Sequence, residues 1–111
     1  MPAKITSLLG PEPHVLFRLG KQAFALPLAA IRDVRKHPPI TPLPNAGPAV
    51  LGVTVLRDQL APVLDVRARF SLPPRPAGQA GTLLAVDHEG ERVGLLVDRV
   101  DDVLMLPPSL P

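Results

Sequence analysis

The chain has 111 residues, 46% of them hydrophobic and 20% charged, a globular composition with room for one compact unit or for two very small barrels sharing a core. That size excludes a two-domain enzyme, and the absence of cysteine excludes a disulfide framework, a thiolate nucleophile and a cysteine-based zinc site. The net charge of +2 divides unevenly, +6 over residues 1–80 (ten Lys/Arg, four Asp/Glu) and −4 over residues 81–111 (two against six), which suits differently charged faces for different partners.

Residues 1–10 hold too short an apolar run for a signal peptide, and Pro11-Glu12-Pro13 interrupts it, so 1–13 reads as a tail. No uncharged apolar stretch approaches the length of a membrane span, so no direct membrane insertion is expected and the cytoplasm is the expected location. Residues 14–19 and 23–26 are β-rich runs around Gly20-Lys21-Gln22 and read as a hairpin. Leu28, Ile31 and Val34 then recur at three-residue spacing, which predicts a connector of one or two helical turns before the chain extends again. The five prolines of residues 38–48 preclude regular structure and predict an ordered loop.

Residues 49–56 and 60–64 flank Arg57-Asp58-Gln59 as a second hairpin, with Pro62 placing its strand at an edge or bulge. Asp65 is suited to cap a helical turn over residues 66–70. Residues 71–81 read as a surface linker. A third hairpin follows, 82–87 and 92–97 around His88-Glu89-Gly90, continues through residue 106 and is stopped by Pro107-Pro108, leaving 108–111 as a tail. Residues 24–34 align with residues 93–103 at a constant offset of 69 (93 − 24), in the apolar positions and one acid. Duplicated hairpin units of this kind suggest two related small barrels.

In this order the segments resemble the CheW family of chemotaxis coupling proteins, a domain also found as the regulatory domain of the chemotaxis histidine kinase. Phe24-Ala25-Leu26-Pro27-Leu28 through Ile31-Arg32-Asp33-Val34-Arg35 is similar to the family's strand leading into V-x-E-I-R, and Thr41-Pro42-Leu43-Pro44-Asn45 to T-x-L-P-N. Gly52-Val53-Thr54-Val55-Leu56-Arg57 with Pro62-Val63-Leu64-Asp65-Val66-Arg67-Ala68-Arg69-Phe70 resembles G-V-x-N-L-R-G…P-V-I-D-L-R-x-R-F. Residues 93–104 resemble V-G-I-V-V-D-x-V-x-D-V-L, so the likeness runs from about residue 14 to 107. It departs at Asp58, where the family has glycine, and at Val55, where it has asparagine.

The resemblance implies a mostly β protein, all-β in class, built of two small SH3-like β-barrels with a groove between them over residues 14–107. It implies a non-catalytic adaptor that joins the cytoplasmic tip of a chemoreceptor to the regulatory domain of a chemotaxis histidine kinase, with no cofactor. Carried over residue by residue, Arg57 faces the receptor with its planar donor head, beside Ile31, Gly52, Leu56 and Leu83. Each of these four is equally suited to a β core. The family continues past this chain's last proline with another hairpin, so the second barrel is expected to be incomplete. Its open edges would present Leu84, Val86, Leu95 and Val97, and a homodimer joining open barrels edge to edge is the expected compensation.

No catalytic or metal constellation accompanies these motifs. Asp33, Asp98, Asp101 and Asp102 lie at turns and strand ends without a nucleophile, and His14, His37 and His88 stand apart from one another. A small barrel binding nucleic acid is the alternative, prompted by the calculated pI of 9.7. Stacking platforms need exposed aromatics, however, and three Phe without Tyr or Trp argue against nucleic acid as a partner.

Overall fold

The structure, a computed structural model, describes residues 11–76 and 78–106. The segments read as tails and the Pro107-Pro108 stop lie outside these residues, except that pairing already begins at Glu12, inside the first of them. β1 (Glu12–Leu19) and β2 (Gln22–Pro27) form the first hairpin, turning at Gly20 with φ 61°. A 3-10 turn at Leu28–Ala30 leads into β3 (Ile31–Lys36). A single helical turn forms, and the chain extends again from Ile31. β3 pairs antiparallel with β7 (Thr82–His88), and that distant ladder overrides the local three-residue spacing.

Within the proline-rich loop, β4 (Thr41–Pro42) pairs with β5 (Val50–Leu56) at Thr41↔Val53 and Pro42↔Gly52. A Cβ on Gly52 would lie 2.1 Å from the Thr41 carbonyl oxygen, so the close approach that requires glycine is to this chain's own backbone. Gly52→Ala is expected to destabilise by about 1–3 kcal/mol and to detach β4, because the obstacle is main chain and cannot rotate away. Hydrogen exchange at Thr41 and Val53 reads this out. Unchanged protection there would contradict the assignment.

β5 and β6 (Gln59–Asp65) meet at a two-residue turn with Arg57 at φ 48° and Asp58 at φ 66°, the pattern of a type I′ hairpin. Gln59 therefore belongs to the strand. Asp58 adopts the left-handed conformation, which aspartate tolerates better than most residues, at the place where the resembled motif has glycine. Asp65 caps α1 (Val66–Arg69) as expected, its Oδ1 accepting from the Arg67 N–H at 3.1 Å. The third hairpin is β7 and β8 (Glu91–Val97), closed by Glu89 and Gly90 at φ 51° and 81°. The chain then bends at Asp98, and β9 (Arg99–Leu106) leaves for the other sheet.

Two sheets result, β2-β1-β9 and β3-β7-β8-β6-β5-β4. The offset seen in the sequence governs their register. Advanced by 69, the pairs Leu19↔Gln22 and His14↔Pro27 of the first hairpin become His88↔Glu91 and Leu83↔Leu96 of the third. Each hairpin then sends its next strand to the other: β3 pairs with β7, and β9 with β1. Val34↔Leu84 and Ile31↔Val86 reappear as Val15↔Val103 and Phe17↔Val100, and both ladders are interrupted at the same place, opposite Arg32 and Asp101. The repeat is thus a pseudo-two-fold strand exchange that includes β1 and β7, which the sequence alignment had not reached.

This exchange moves the open edges. β7 lies between β3 and β8, and β8 between β7 and β6. Leu84 and Val97 are fully buried with Phe17, Leu19 and Val66, Leu95 packs against that cluster, and Val86 is half-buried. The apolar edge expected of these four residues is therefore absent, because β3 and β6 arrive from elsewhere in the chain to cover it. Pro62 sits on a strand that is interior to the sheet, but its β8 side is unpaired, since the β6–β8 ladder begins only at Val63, so the edge reading holds locally.

Candidate functional site

Arg57 is exposed at the tip of the β5–β6 hairpin, and among the described residues its guanidinium has no carboxylate within ion-pair distance, Asp58 included. It reaches far enough to act on β3. Asp33 is held below the usual carboxylate range chiefly by a hydrogen bond from Arg35, with further help from the Val34 N–H and the charges of Arg35 and Arg57. Around this point the other arginines are occupied. Arg35 Nε donates to Asp33 at 2.9 Å, while Asp87 accepts from Arg92 Nε at 2.6 Å and Arg32 Nε at 2.9 Å.

Directly behind the turn, Val55 and Leu60 are cross-strand partners and are 54% and 73% exposed. Val53 and Pro62 form the next rung of the same outward face. Alternate residues of both strands, Thr54, Leu56, Ala61 and Val63, point into the protein. The hairpin is therefore apolar on both faces. An apolar rung left in water next to an unpaired arginine has the composition of a contact surface.

Beside this rung, β6 and β8 part. Their parallel pairing covers only Val63–Asp65 against Gly94–Leu96. In a two-residue hairpin the amides of residues 60 and 62 point away from β5, toward β8, and proline at 62 has none to offer. The strands consequently diverge around a groove of about 520 Å³ lined by Gln59, Leu60, Pro62, Gly90, Glu91 and Arg92. Pro62 and the two-faced apolar pattern were visible in the sequence, but only the parallel β8 neighbour gives them this consequence.

The remaining residues expected in the groove are placed otherwise. Leu56 and Leu83 are fully buried together with Ala61, Val63, Ala85 and Leu96. Gly52 lies beneath β4, and Ile31 packs on the other cluster, with Phe17 and Leu84. Of the five, Arg57 alone stands free at the surface. The core reading of the other four prevails because each points along the inward alternation of its strand or against a covering strand.

A buried ionic centre was not read from the sequence at all. Asp98, at the bend between β8 and β9, accepts from Arg67 Nε at 2.9 Å and from Arg67 Nη2, from the Gly20 N–H at 2.7 Å and from Arg75 Nε at 3.2 Å. Arg67 Nη1 donates in turn to Pro73 O at 2.9 Å, and the Asp98 N–H donates to Arg18 O at 3.0 Å. Arg75 Nη2 is 3.1 Å from Asp98 Oδ1 but outside hydrogen-bonding geometry, which leaves that nitrogen buried without a bond. Burial pushes the Asp98 carboxyl up, and the bonds from Arg67 and Gly20 with the charges of Arg67 and Arg75 overcome it, holding the group at about 2. The centre ties the first turn, α1, the 71–81 segment and the β8–β9 bend to one carboxylate.

The three aromatic side chains form one stack. Phe17 stacks on Phe24 at 5.6 Å and Phe24 on Phe70 at 5.3 Å between centroids, which engages both faces of Phe24 and leaves Phe70, 51% exposed, with one open face. Arg32 and Arg35 are paired with Asp87 and Asp33, so of the basic group near β3 only Lys36 is left without an ion pair among the described residues, and one half-exposed ring at Phe70 is no row of stacking aromatics for the nucleic-acid alternative.

The profile of the CheW-like domain matches residues 13–110. The "Chemotaxis protein CheW" of Rhizobium meliloti is 36% identical over 95 residues, covering 86% of this chain and 61% of the relative. The "Probable chemotaxis protein CheW" of Rhizobium etli is 32% identical over 101 residues, 91% of this chain and 65% of the relative. Among solved structures, the scaffolding protein TtCheW from Thermoanaerobacter tengcongensis superposes with a TM-score of 0.81 at 28% identity, over 86% of this chain and 66% of that one. The chain thus spans slightly less than two thirds of the length of these relatives.

Proposed function

Since the chain belongs to the CheW-like domain family, we propose that it is a non-catalytic signalling adaptor, acting in the cytoplasm, that couples the tip of a chemoreceptor to the regulatory domain of a chemotaxis histidine kinase. The observation that carries this reading is the family match over residues 13–110 together with the shared fold of a scaffolding protein. The surface chemistry agrees with it. Asp33, Asp87, Asp98 and Asp101 are all held below the usual carboxylate range by arginines, so they remain charged and give up no proton to a substrate near neutral pH. Arg57, without an ion pair among the described residues, is next along the chain to the exposed Val55–Leu60 rung and puts a donor head beside an apolar surface. No helix among the described residues is long and apolar enough to cross a membrane.

Arg57→Glu tests the receptor arm. Reversal of the charge is expected to weaken binding of a receptor-tip fragment about tenfold or more, since a like-charge juxtaposition at an interface is costly. Stability should change by no more than about 0.5 kcal/mol, because the side chain is exposed and makes no ion pair. Titration calorimetry and urea unfolding on the same preparation separate the two effects. Intact receptor binding would remove Arg57 from the site, and a large loss of stability would make it structural.

A further inference from the structure

The offset that relates the two hairpins reverses the charges at one place. Arg32 stands at the interruption of the β3–β7 ladder, and its Nε donates to Asp87 at 2.9 Å. Advanced by 69, position 32 becomes Asp101, at the interruption of the β1–β9 ladder, and position 87 is the counterpart of Arg18 on β1. Arg18 Nε donates to Asp101 at 2.7 Å. The two exchanged ladders thus carry the same ion pair at the same point with its signs inverted. Each carboxylate also takes a second arginine, Asp87 from Arg92 Nε at 2.6 Å and Asp101 from Arg99 Nε at 2.8 Å, so each site is one acid between two arginines.

The apolar residues beside these pairs do not tell the ladders apart. The rungs Ile31↔Val86 and Phe17↔Val100 are equivalent in register and alike in kind. Hydrophobic pattern alone would therefore let β3 of one copy of the chain pair with β1 of a second, or β9 with β7. Pairing of like hairpins brings Arg32 against Arg18 with both acids gone, and Asp101 against Asp87 with one arginine apiece. The acids keep their charge near neutral pH, since the bonds from Arg92 and Arg18 respectively lead in holding Asp87 and Asp101 below the usual carboxylate range. Ion pairs at the surface add little to stability, but like charges set together count heavily against a wrong partner.

We propose that Arg18, Arg32, Asp87 and Asp101 determine which hairpins pair, admitting a first hairpin only to a third, and so bar the chain from assembling with a second copy of itself through like hairpins. Within one chain the hairpin of opposite sign is always at hand, whereas the like hairpin of a second copy meets repulsion at each contact. The device stands apart from the Arg57 surface and does not rest on the adaptor reading.

The test inverts one pair in the full chain. Arg18→Asp with Asp101→Arg keeps one acid between two arginines in the native ladder, yet makes every contact between like hairpins complementary. This variant should unfold at a urea concentration close to the parent's. Its dimer share after refolding over a range of protein concentrations, read by sedimentation velocity, is expected to exceed the parent's about tenfold or more, because a two-fold assembly contains each contact twice. Arg18→Ala with Asp101→Ala removes the repulsion without creating attraction, so its share should fall between the two. Inverting both pairs together, with Arg32→Asp and Asp87→Arg added, restores the discrimination and should return the share to the parent's. Should the first variant fail to fold, Arg32→Asp with Asp87→Arg alone sets the same contacts to opposite sign and is expected to dimerise likewise. The proposal is overturned if inverting one pair leaves the dimer share at the parent's level, if the alanine variant dimerises as strongly, if inverting both pairs brings no return, or if neither single inversion folds, since each preserves the native pairs.

Discussion

Asp98→Ala is expected to lower the free energy of unfolding by about 3–5 kcal/mol, the cost of leaving buried charges without their partner. Arg67 and Asp98 are both nearly inaccessible, and Arg75 and the Gly20 amide converge on the same carboxylate. Removal of the acid strands two guanidinium groups and opens the joint between the first turn, α1 and the β8–β9 bend. Arg67→Met should cost a similar amount, and the double variant clearly less than the sum, because the second change removes a charge that the first had orphaned. Urea unfolding of the four proteins gives the coupling directly. Additive losses would show that the two side chains do not act on each other.

The same carboxylate sets a pH dependence. Its folded value of about 2 lies below the ordinary 3.8, so the stabilisation is complete above about pH 4 and is lost as pH falls toward 2. A difference of this size corresponds to about 2 kcal/mol at neutral pH. Parent protein should therefore lose more stability across that window than Asp98→Asn, which has no proton to take up at this position. Parallel acid titrations of the two would contradict the assignment.

Leu83→Ala is expected to cost about 2–5 kcal/mol, as deletion of a fully buried leucine does when its surroundings cannot close in. Its packing is tight: a Cβ on Gly94 would stand 2.7 Å from Leu83 Cδ1. The resemblance assigns this residue to a receptor contact, whereas its burial with Leu56, Val63 and Leu96 makes it core. Receptor binding by Leu83→Ala should accordingly fall only in proportion to the unfolded fraction. A stable, folded variant that binds poorly would restore the contact reading.

What the sequence made legible follows from how local each feature is. Asp65 caps α1 through a bond two residues away, and Gly20 and Gly90 mark turns by their own φ, so the residues themselves were sufficient evidence. The offset of 69 was visible where β2–β3 and β8–β9 share apolar spacing, yet β1 and β7 differ in residues and agree only in register. β3 is extended because a strand some fifty residues later pairs with it, and nothing in the spacing of Leu28, Ile31 and Val34 announces that. Arg67 and Asp98 stand 31 residues apart in unlike local settings. For the candidate site, Arg57 was accessible to motif reading, while the exposed Val55–Leu60 rung was hidden by the assumption that apolar strand residues point inward. Leu84 and Val97 failed as an open edge for the converse reason, since the strands that cover them come from other parts of the chain.

The adaptor role is tested most directly by calorimetric titration of this chain into the regulatory domain of a chemotaxis histidine kinase from the same cell. Saturable binding with a dissociation constant of about micromolar order, indifferent to nucleotide and metal chelator, is the expected result for a transient, mainly apolar signalling contact. Absence of heat, and of any shift in a parallel sedimentation run at high concentrations of both proteins, would contradict it.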